Sequence, residues 1–118
     1  MAEIRAAMAT AASPRTQDVA DGALRSAVLA AFYDDVDRDG RASVVLTRRS
    51  KNLRNHSGEV SFPGGRQEPG EELWVTALRE AEEEIALDPT AVVHLGELDH
   101  LRTVTSRSWI VPYVAEIT

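Results

Sequence analysis

The alternation of apolar and polar residues along the first half of the chain predicts two strands joined by a tight turn. Residues 27–33 form a short apolar run that ends in two aromatic side chains, and residues 43–48 form a second run rich in β-branched side chains. Between them, Asp39-Gly40 is typical of a hairpin turn, because glycine adopts positive φ at little cost. Residues 1–22 show little periodicity and indicate a flexible or helical lead before the folded domain.

The strongest helical pattern lies in the second half of the chain. Residues 71–85 are rich in Glu, Leu and Ala, with Pro69-Gly70 before them and Asp88-Pro89 after them, so they predict a helix. Three more segments are strand-like: residues 60–62, 92–98 and 109–115. The order β-β-β-α-β-β predicts a mixed α/β domain.

A turn is expected where the third of these strands ends. Residues 60–62 run directly into Pro63-Gly64-Gly65, and consecutive Pro and Gly residues are strong signals of a turn. We therefore place a turn at 63–65, before the loop that leads to the helix.

Composition reduces the range of functions. With 118 residues and a 43% hydrophobic fraction, the chain is the size of one domain, which we place at 23–118. The absence of Cys excludes disulfide scaffolds, thiol nucleophiles and thiolate zinc sites. A net charge of −6 argues against nucleic-acid binding. No membrane-length apolar stretch or signal peptide is recognisable, so we expect a cytoplasmic protein that does not bind membranes.

Charge is distributed in two successive blocks. Residues 38–54 contain six basic residues against one Asp, and residues 59–84 contain eight Glu against two Arg. Charge runs usually form solvated surface. The same arrangement would also serve a site that holds phosphate with one segment and a metal cation with the other.

The predicted helix brings several carboxylates to one border of its apolar face. At 100° per residue, Glu80, Glu83 and Glu84 converge on that border, whereas Glu82 points away from it. The apolar stripe consists of Leu73, Trp74, Ala77, Leu78, Ala81 and Ile85. Converging carboxylates repel one another unless a cation compensates them, and Mg²⁺ and Mn²⁺ prefer carboxylate oxygens. An ordinary wet helix surface is the alternative interpretation.

The spacing of polar residues around this helix matches a known motif. The chain reads Gly65, five residues, Glu71, seven residues, Arg79-Glu80-Ala81, one residue, Glu83-Glu84, one residue, Ala86-Leu87. This resembles the Nudix box of the Nudix hydrolases, a strand-loop-helix-loop motif. In that family the box glutamates bind Mg²⁺ or Mn²⁺ against a substrate pyrophosphate, and water attacks a phosphorus atom.

The resemblance implies a role for each matching residue. Glu80 and Glu84 match the principal metal ligands, and Glu83 matches the neighbour that binds a further metal ion or activates water. Arg79 and Glu71 match a structural ion pair that orients the helix and its loop. The implied fold is the Nudix α/β/α sandwich, in which a mixed sheet lies between helices.

Two positions depart from the family pattern. Ala81 stands where a larger aliphatic residue is usual, and Ala86 replaces the Gly that ends the helix. If residue 86 needs positive φ, alanine costs about 1 kcal/mol there. Neither change removes a carboxylate.

A second resemblance lies upstream and concerns the substrate. The segment contains Leu46-Thr47-Arg48-Arg49-Ser50, Arg54, His56, Gly58 and Phe62-Pro63-Gly64-Gly65. It resembles the additional signature of the coenzyme A diphosphatase branch, which cleaves coenzyme A into 3′,5′-ADP and 4′-phosphopantetheine. The implied substrate is coenzyme A or acyl-CoA, because guanidinium groups suit its phosphates. The substrate contacts that we expect are Arg54, His56, Arg49, Gly64 and Gly65.

Two alternative functions stay open at this point. The first is hydrolysis of another nucleoside diphosphate derivative, such as ADP-ribose, a nucleotide sugar or a damaged nucleotide. The second is a non-catalytic nucleotide-binding module, which would be expected to lose box carboxylates.

The chain ends at Thr118, directly after a predicted strand, where the family leads us to expect a further strand and a closing helix. A homodimer would cover the sheet face that such a shortened domain exposes.

Overall fold

The secondary structure consists of two helices and eight strands in the part of the chain that is described, residues 1–14, 24–48, 58–103 and 108–118 of a computed structural model. The elements are α1 (Ala2–Thr10), β1 (Leu24–Asp35), β2 (Arg41–Val44), β3 (Thr47–Arg48), β4 (Val60–Ser61), β5 (Gly64–Arg66), α2 (Leu73–Ile85), β6 (Val92–Glu97), β7 (Leu101–Arg102) and β8 (Ser108–Ile117). Short 3₁₀ turns follow β1 and precede β6.

The main sheet is mixed, as the resemblance to the Nudix hydrolases implied. Its two long central strands, β1 and β8, run parallel to each other, and every other pairing in the sheet is antiparallel. The two ends of β1 pair with β2 and β5 along its outer edge, while β6 and β7 pair with β8 on the far side. β3 and β4 form a separate two-stranded sheet.

The hydrophobic core lies between α2 and one face of this sheet. Alternate residues of β1 and β8 supply the sheet side, and the predicted stripe of α2 supplies the other side. The fully covered members are Ala27, Leu29, Ala31, Ala77, Ala81, Val111, Tyr113 and Ala115. Many of these side chains are small, so the backbone of α2 approaches the sheet closely.

The second face of the sheet is covered in part by α1. Met1, Ile4 and Met8 share one side of this helix and are the least exposed residues of the segment 1–10. Met8 lies so close to Gly96 of β6 that a Cβ there would be 2.6 Å from its Cε atom. Arg5 donates a hydrogen bond to Glu116 of β8. The lead is therefore helical over Ala2–Thr10, and helices lie on both faces of the sheet.

The predicted turn at 63–65 is wrong, because Gly64 and Gly65 belong to strand β5. They pair with Val28 and Ala27 of β1. A Cβ at Gly64 would lie 2.3 Å from the carbonyl oxygen of Ala27, so a strand this close to β1 requires glycine for contact and not for a turn. The predicted strand 43–48 is likewise divided between β2 and β3. By contrast, Asp39-Gly40 adopts left-handed φ at both residues, which confirms the hairpin turn.

Helix α2 ends at a strained residue. Ala86 has φ 55° and ψ 32°, in the left-handed region, and its N–H donates to the carbonyl oxygen of Glu82 at 2.9 Å. This region is costly for residues that carry a Cβ. We therefore expect Ala86→Gly to raise the free energy of unfolding by about 1 kcal/mol.

Chemical denaturation of the wild type and of the Ala86→Gly variant measures this difference in the free energy of unfolding. Ala42→Gly is the matched control, because Ala42 is an exposed residue of β2 without positive φ. Glycine there is expected to lower stability. Equal effects of the two substitutions would show that the left-handed residue carries no strain.

Candidate functional site

A bidentate ion pair joins α2 to the loop before it. Arg79 Nε donates to Glu71 Oε2 at 2.8 Å, and Arg79 Nη2 donates to Glu71 Oε1 at 3.1 Å. Arg79 Nη2 also donates to the carbonyl oxygen of Arg66, at the end of β5, at 3.0 Å. Because the guanidinium is planar, these contacts fix the direction of its remaining nitrogen.

The same ion pair sets the electrostatics of the loop. The hydrogen bonds from Arg79, and next from Thr76, lower the pKa of Glu71 to about 2. Hydrogen bonding to Glu71 in turn raises the pKa of Arg79, so both groups are charged at neutral pH. The carboxylate of Glu71 and the guanidinium of Arg79 therefore form a permanently charged pair next to the acidic stretch of α2.

The third nitrogen of the guanidinium points at the acidic stretch of α2. Arg79 Nη1 donates to Glu80 Oε1 at 2.9 Å and lies 3.3 Å from Glu83 Oε2. The Glu80 side chain is 20% exposed and that of Glu83 is 59% exposed. One protein cation thus lies between two of the carboxylates.

Strand β5 lies directly beside these carboxylates. A Cβ at Gly65 would lie 2.5 Å from Cδ of Glu80 and under 3 Å from both of its carboxylate oxygens. The N–H of Gly64 points at Glu84 Oε1 at 3.4 Å. Two glycines therefore bring a strand backbone against Glu80 and Glu84, which can present oxygen ligands to a cation beside that strand.

A comparison with known families identifies the family of this domain. The model of the NUDIX domain matches residues 23–116. The chain belongs to the NUDIX domain family. The segment that resembles the Nudix box, Gly65 to Leu87, lies in β5, the loop and α2.

Individual relatives agree with this assignment. The chain is similar to Nudix hydrolase 3 of Caenorhabditis elegans, with 54% identity over 69 residues that cover 58% of this chain and 28% of the relative. It is also similar to Nudix hydrolase 15, mitochondrial, of Arabidopsis thaliana, with 52% identity over 69 residues that cover 58% of this chain and 24% of the relative. The chain spans about a quarter of the length of these relatives.

A solved structure shares the fold. A crystal structure of a C. elegans Ap4A hydrolase binary complex superposes with a TM-score of 0.63 at 18% identity, covering 80% of this chain and 66% of that one. At this identity the likeness concerns the fold alone, and it agrees with the mixed sheet and the two helix layers described above.

The three Nudix box glutamates do not form a ready-made cluster. Among residues 1–14, 24–48, 58–103 and 108–118, no three His, Asp or Glu side chains lie together closely enough to hold a metal ion. The predicted convergence of Glu80, Glu83 and Glu84 is therefore replaced by two pairs of these glutamates, each with a shared neighbour. Glu80 and Glu83 share Arg79 Nη1, and Glu80 and Glu84 share strand β5. The cation of Arg79 lies between Glu80 and Glu83, so their negative charges are compensated there by the protein itself.

Three expected substrate contacts, Arg49, Arg54 and His56, lie outside the described residues. Gly64 and Gly65, the other two, lie beside the box glutamates in β5. Sequence reasoning missed Thr76, which is fully buried and hydrogen-bonded to Glu71. The sequence does place the Thr76 hydroxyl on the border of the apolar stripe of α2, where a polar side chain needs a hydrogen-bond partner.

Proposed function

We propose that this chain catalyses metal-dependent hydrolysis of a pyrophosphate linkage, with coenzyme A as the substrate and 3′,5′-ADP and 4′-phosphopantetheine as the products. The observation that carries the proposal is the pairing of two Nudix box carboxylates, Glu80 and Glu84, with strand β5, on a helix held in place by the Arg79–Glu71 ion pair. Water adds across one P–O bond of the pyrophosphate, so no further reactant is needed.

Glu80 and Glu84, with Glu83 beside them, are the residues that would hold Mg²⁺ or Mn²⁺. The fit rests on the donor set, since hard divalent cations take carboxylate oxygens, and on the guanidinium cation already lying between Glu80 and Glu83. When bound, such a cation neutralises charge on the pyrophosphate and acidifies water. Glu80 and Glu84 would hold it, and Glu83 is the candidate to receive the proton of the attacking water.

The substrate assignment rests on the upstream signature. Coenzyme A carries a pyrophosphate and a 3′-phosphate, and the segment that joins β3 to β4 supplies Arg49, Arg54 and His56. Guanidinium groups bind phosphate oxygens in pairs, which favours this segment as the phosphate-binding arm. Gly64 and Gly65 of β5 would offer backbone beside Glu80 and Glu84.

No helix of the described residues is long and apolar enough to cross a membrane. Separately, we propose the cytoplasm as the location of the protein.

Mass spectrometry of the products tests the proposal directly. Coenzyme A incubated with the chain and Mg²⁺ or Mn²⁺ is expected to give 3′,5′-ADP and 4′-phosphopantetheine, and excess EDTA is expected to stop the reaction. ADP-ribose, a nucleotide sugar and an acyl-CoA form the comparison panel. Faster cleavage of ADP-ribose or of the nucleotide sugar than of coenzyme A would contradict the substrate, and turnover in EDTA would contradict the metal.

A further inference from the structure

A buried hydroxyl lies behind the Arg79–Glu71 ion pair. Thr76 in the first turn of α2 is fully buried, and its Oγ1 donates to Glu71 Oε1 at 2.6 Å. The carbonyl oxygen of Glu72 is a more distant acceptor, at 3.2 Å. A hydroxyl in a buried position is costly unless it is bonded, and a bond to a carboxylate is of the stronger, charge-assisted kind.

Glu71 receives donors from three directions. Its Oε1 accepts from Thr76 Oγ1, from the N–H of Glu68 at 3.2 Å and from Arg79 Nη2 at 3.1 Å, while its Oε2 accepts from Arg79 Nε at 2.8 Å. Thr76 and Glu68 thus add two donors to the carboxylate that do not come from Arg79. A carboxylate without these donors can rotate about its last bond, and the guanidinium would turn with it.

The consequence reaches the carboxylates on the next turn of the helix. Arg79 Nη1 contacts Glu80 and Glu83, and its direction is fixed by the carboxylate of Glu71 together with the carbonyl oxygen of Arg66. A firmly held Arg79 keeps Glu80 and Glu83 in one orientation, so a divalent cation would meet carboxylates that are already oriented. The affinity for the cation therefore depends on how firmly Arg79 is held.

We propose that Thr76 is a positioning residue whose hydroxyl, acting through Glu71 and Arg79, sets the orientation of Glu80 for the cation. This inference rests on the proposed metal-dependent function. Thr76 does not touch substrate or cation. It lies at the far end of a relay of contacts that runs from Thr76 through Glu71 to Arg79. A valine has nearly the same shape but no hydroxyl to donate, so the two residues separate positioning from packing.

The test compares Thr76→Val, which removes the hydroxyl and keeps the shape, with Thr76→Ser, which keeps the hydroxyl. Binding of Mn²⁺ alone is measured by electron paramagnetic resonance, and hydrogen exchange of the Arg79 Nε–H is measured by NMR in metal-free protein. We expect Thr76→Val to weaken Mn²⁺ binding about tenfold and to accelerate the exchange, as loss of an outer-shell partner does. Thr76→Ser is expected to restore most of both properties.

Thr90→Val is the matched control, because Thr90 Oγ1 also donates to a carboxylate oxygen, that of Asp88 at 2.8 Å, outside the relay. It should leave Mn²⁺ binding and the Arg79 exchange unchanged. Thr76→Ala provides a second hydroxyl-free variant should Thr76→Val lose its fold, with circular dichroism as the check.

Three outcomes overturn the inference. Unchanged Mn²⁺ affinity and unchanged Arg79 exchange in a folded, hydroxyl-free variant would show that Thr76 acts only in packing. Equal losses in the Val and Ser variants would assign the effect to core shape. Failure of the wild-type chain to bind Mn²⁺ would instead overturn the proposed function and the metal-orienting role together. The exchange comparison would then still decide whether Thr76 orders Arg79.

Discussion

Glu84→Gln is expected to lower kcat for the proposed hydrolysis about 10³-fold and to leave the melting temperature nearly unchanged. Glutamine preserves the length of the side chain and an oxygen that can still accept from the Gly64 N–H, but it lacks the negative charge that a divalent cation requires. Losses of this size are typical when one group that stabilises the transition state is removed. Because Glu84 is exposed on α2, the fold does not depend on it. Initial rates and thermal unfolding measure the two effects.

Glu82→Gln is the control for this substitution. Glu82 lies on the same helix and is also exposed, but the helical period directs it away from β5. Replacing it with Gln changes the net charge by the same amount as Glu84→Gln does. Its kcat is expected to stay near that of the wild type. Near-normal turnover in Glu84→Gln would contradict the metal assignment, and an equal loss in Glu82→Gln would assign the effect to overall charge.

Elements governed by local pattern were predictable from the sequence. Helix α2 begins two residues later than expected and ends where expected, at Ile85, because a strongly periodic stripe and flanking Pro and Gly residues define it. The two central strands, β1 and β8, follow from apolar runs that the core requires. The left-handed conformation of Ala86 was suggested instead by the family pattern, which has glycine at that position.

Features that depend on contacts distant in sequence were not predictable in this way. Gly64 and Gly65 have the composition of a turn, and only their approach to Ala27 and Glu80 shows why glycine stands in a strand. The docking of α1 depends equally on Gly96, which lies far along the chain. For the site, spacing identified the box residues, but the pairwise arrangement of the glutamates follows from Arg79 Nη1, which no spacing reveals.

Gly65→Ala is expected to impair cation binding and turnover while the protein stays folded. The added methyl group would lie 2.5 Å from Cδ of Glu80, but Glu80 is a flexible side chain that can rotate away. Rotation relieves the overlap and removes one of the proposed ligands from its place beside β5. We expect Mn²⁺ affinity and kcat each to fall about 10-fold to 100-fold. Titration with Mn²⁺ and steady-state rates measure the two effects.

Gly64→Ala, one residue earlier, separates this effect from damage to the sheet. Its methyl group would lie 2.3 Å from the carbonyl oxygen of Ala27, and that backbone atom can move only if β5 separates from β1. We expect a loss of about 3 kcal/mol in the free energy of unfolding. If Gly65→Ala destabilised the protein as much as Gly64→Ala, residue 65 would serve the sheet. If it left Mn²⁺ binding intact, Glu80 would hold no metal ion in the position described, and the metal site would have to be built on Glu83 and Glu84.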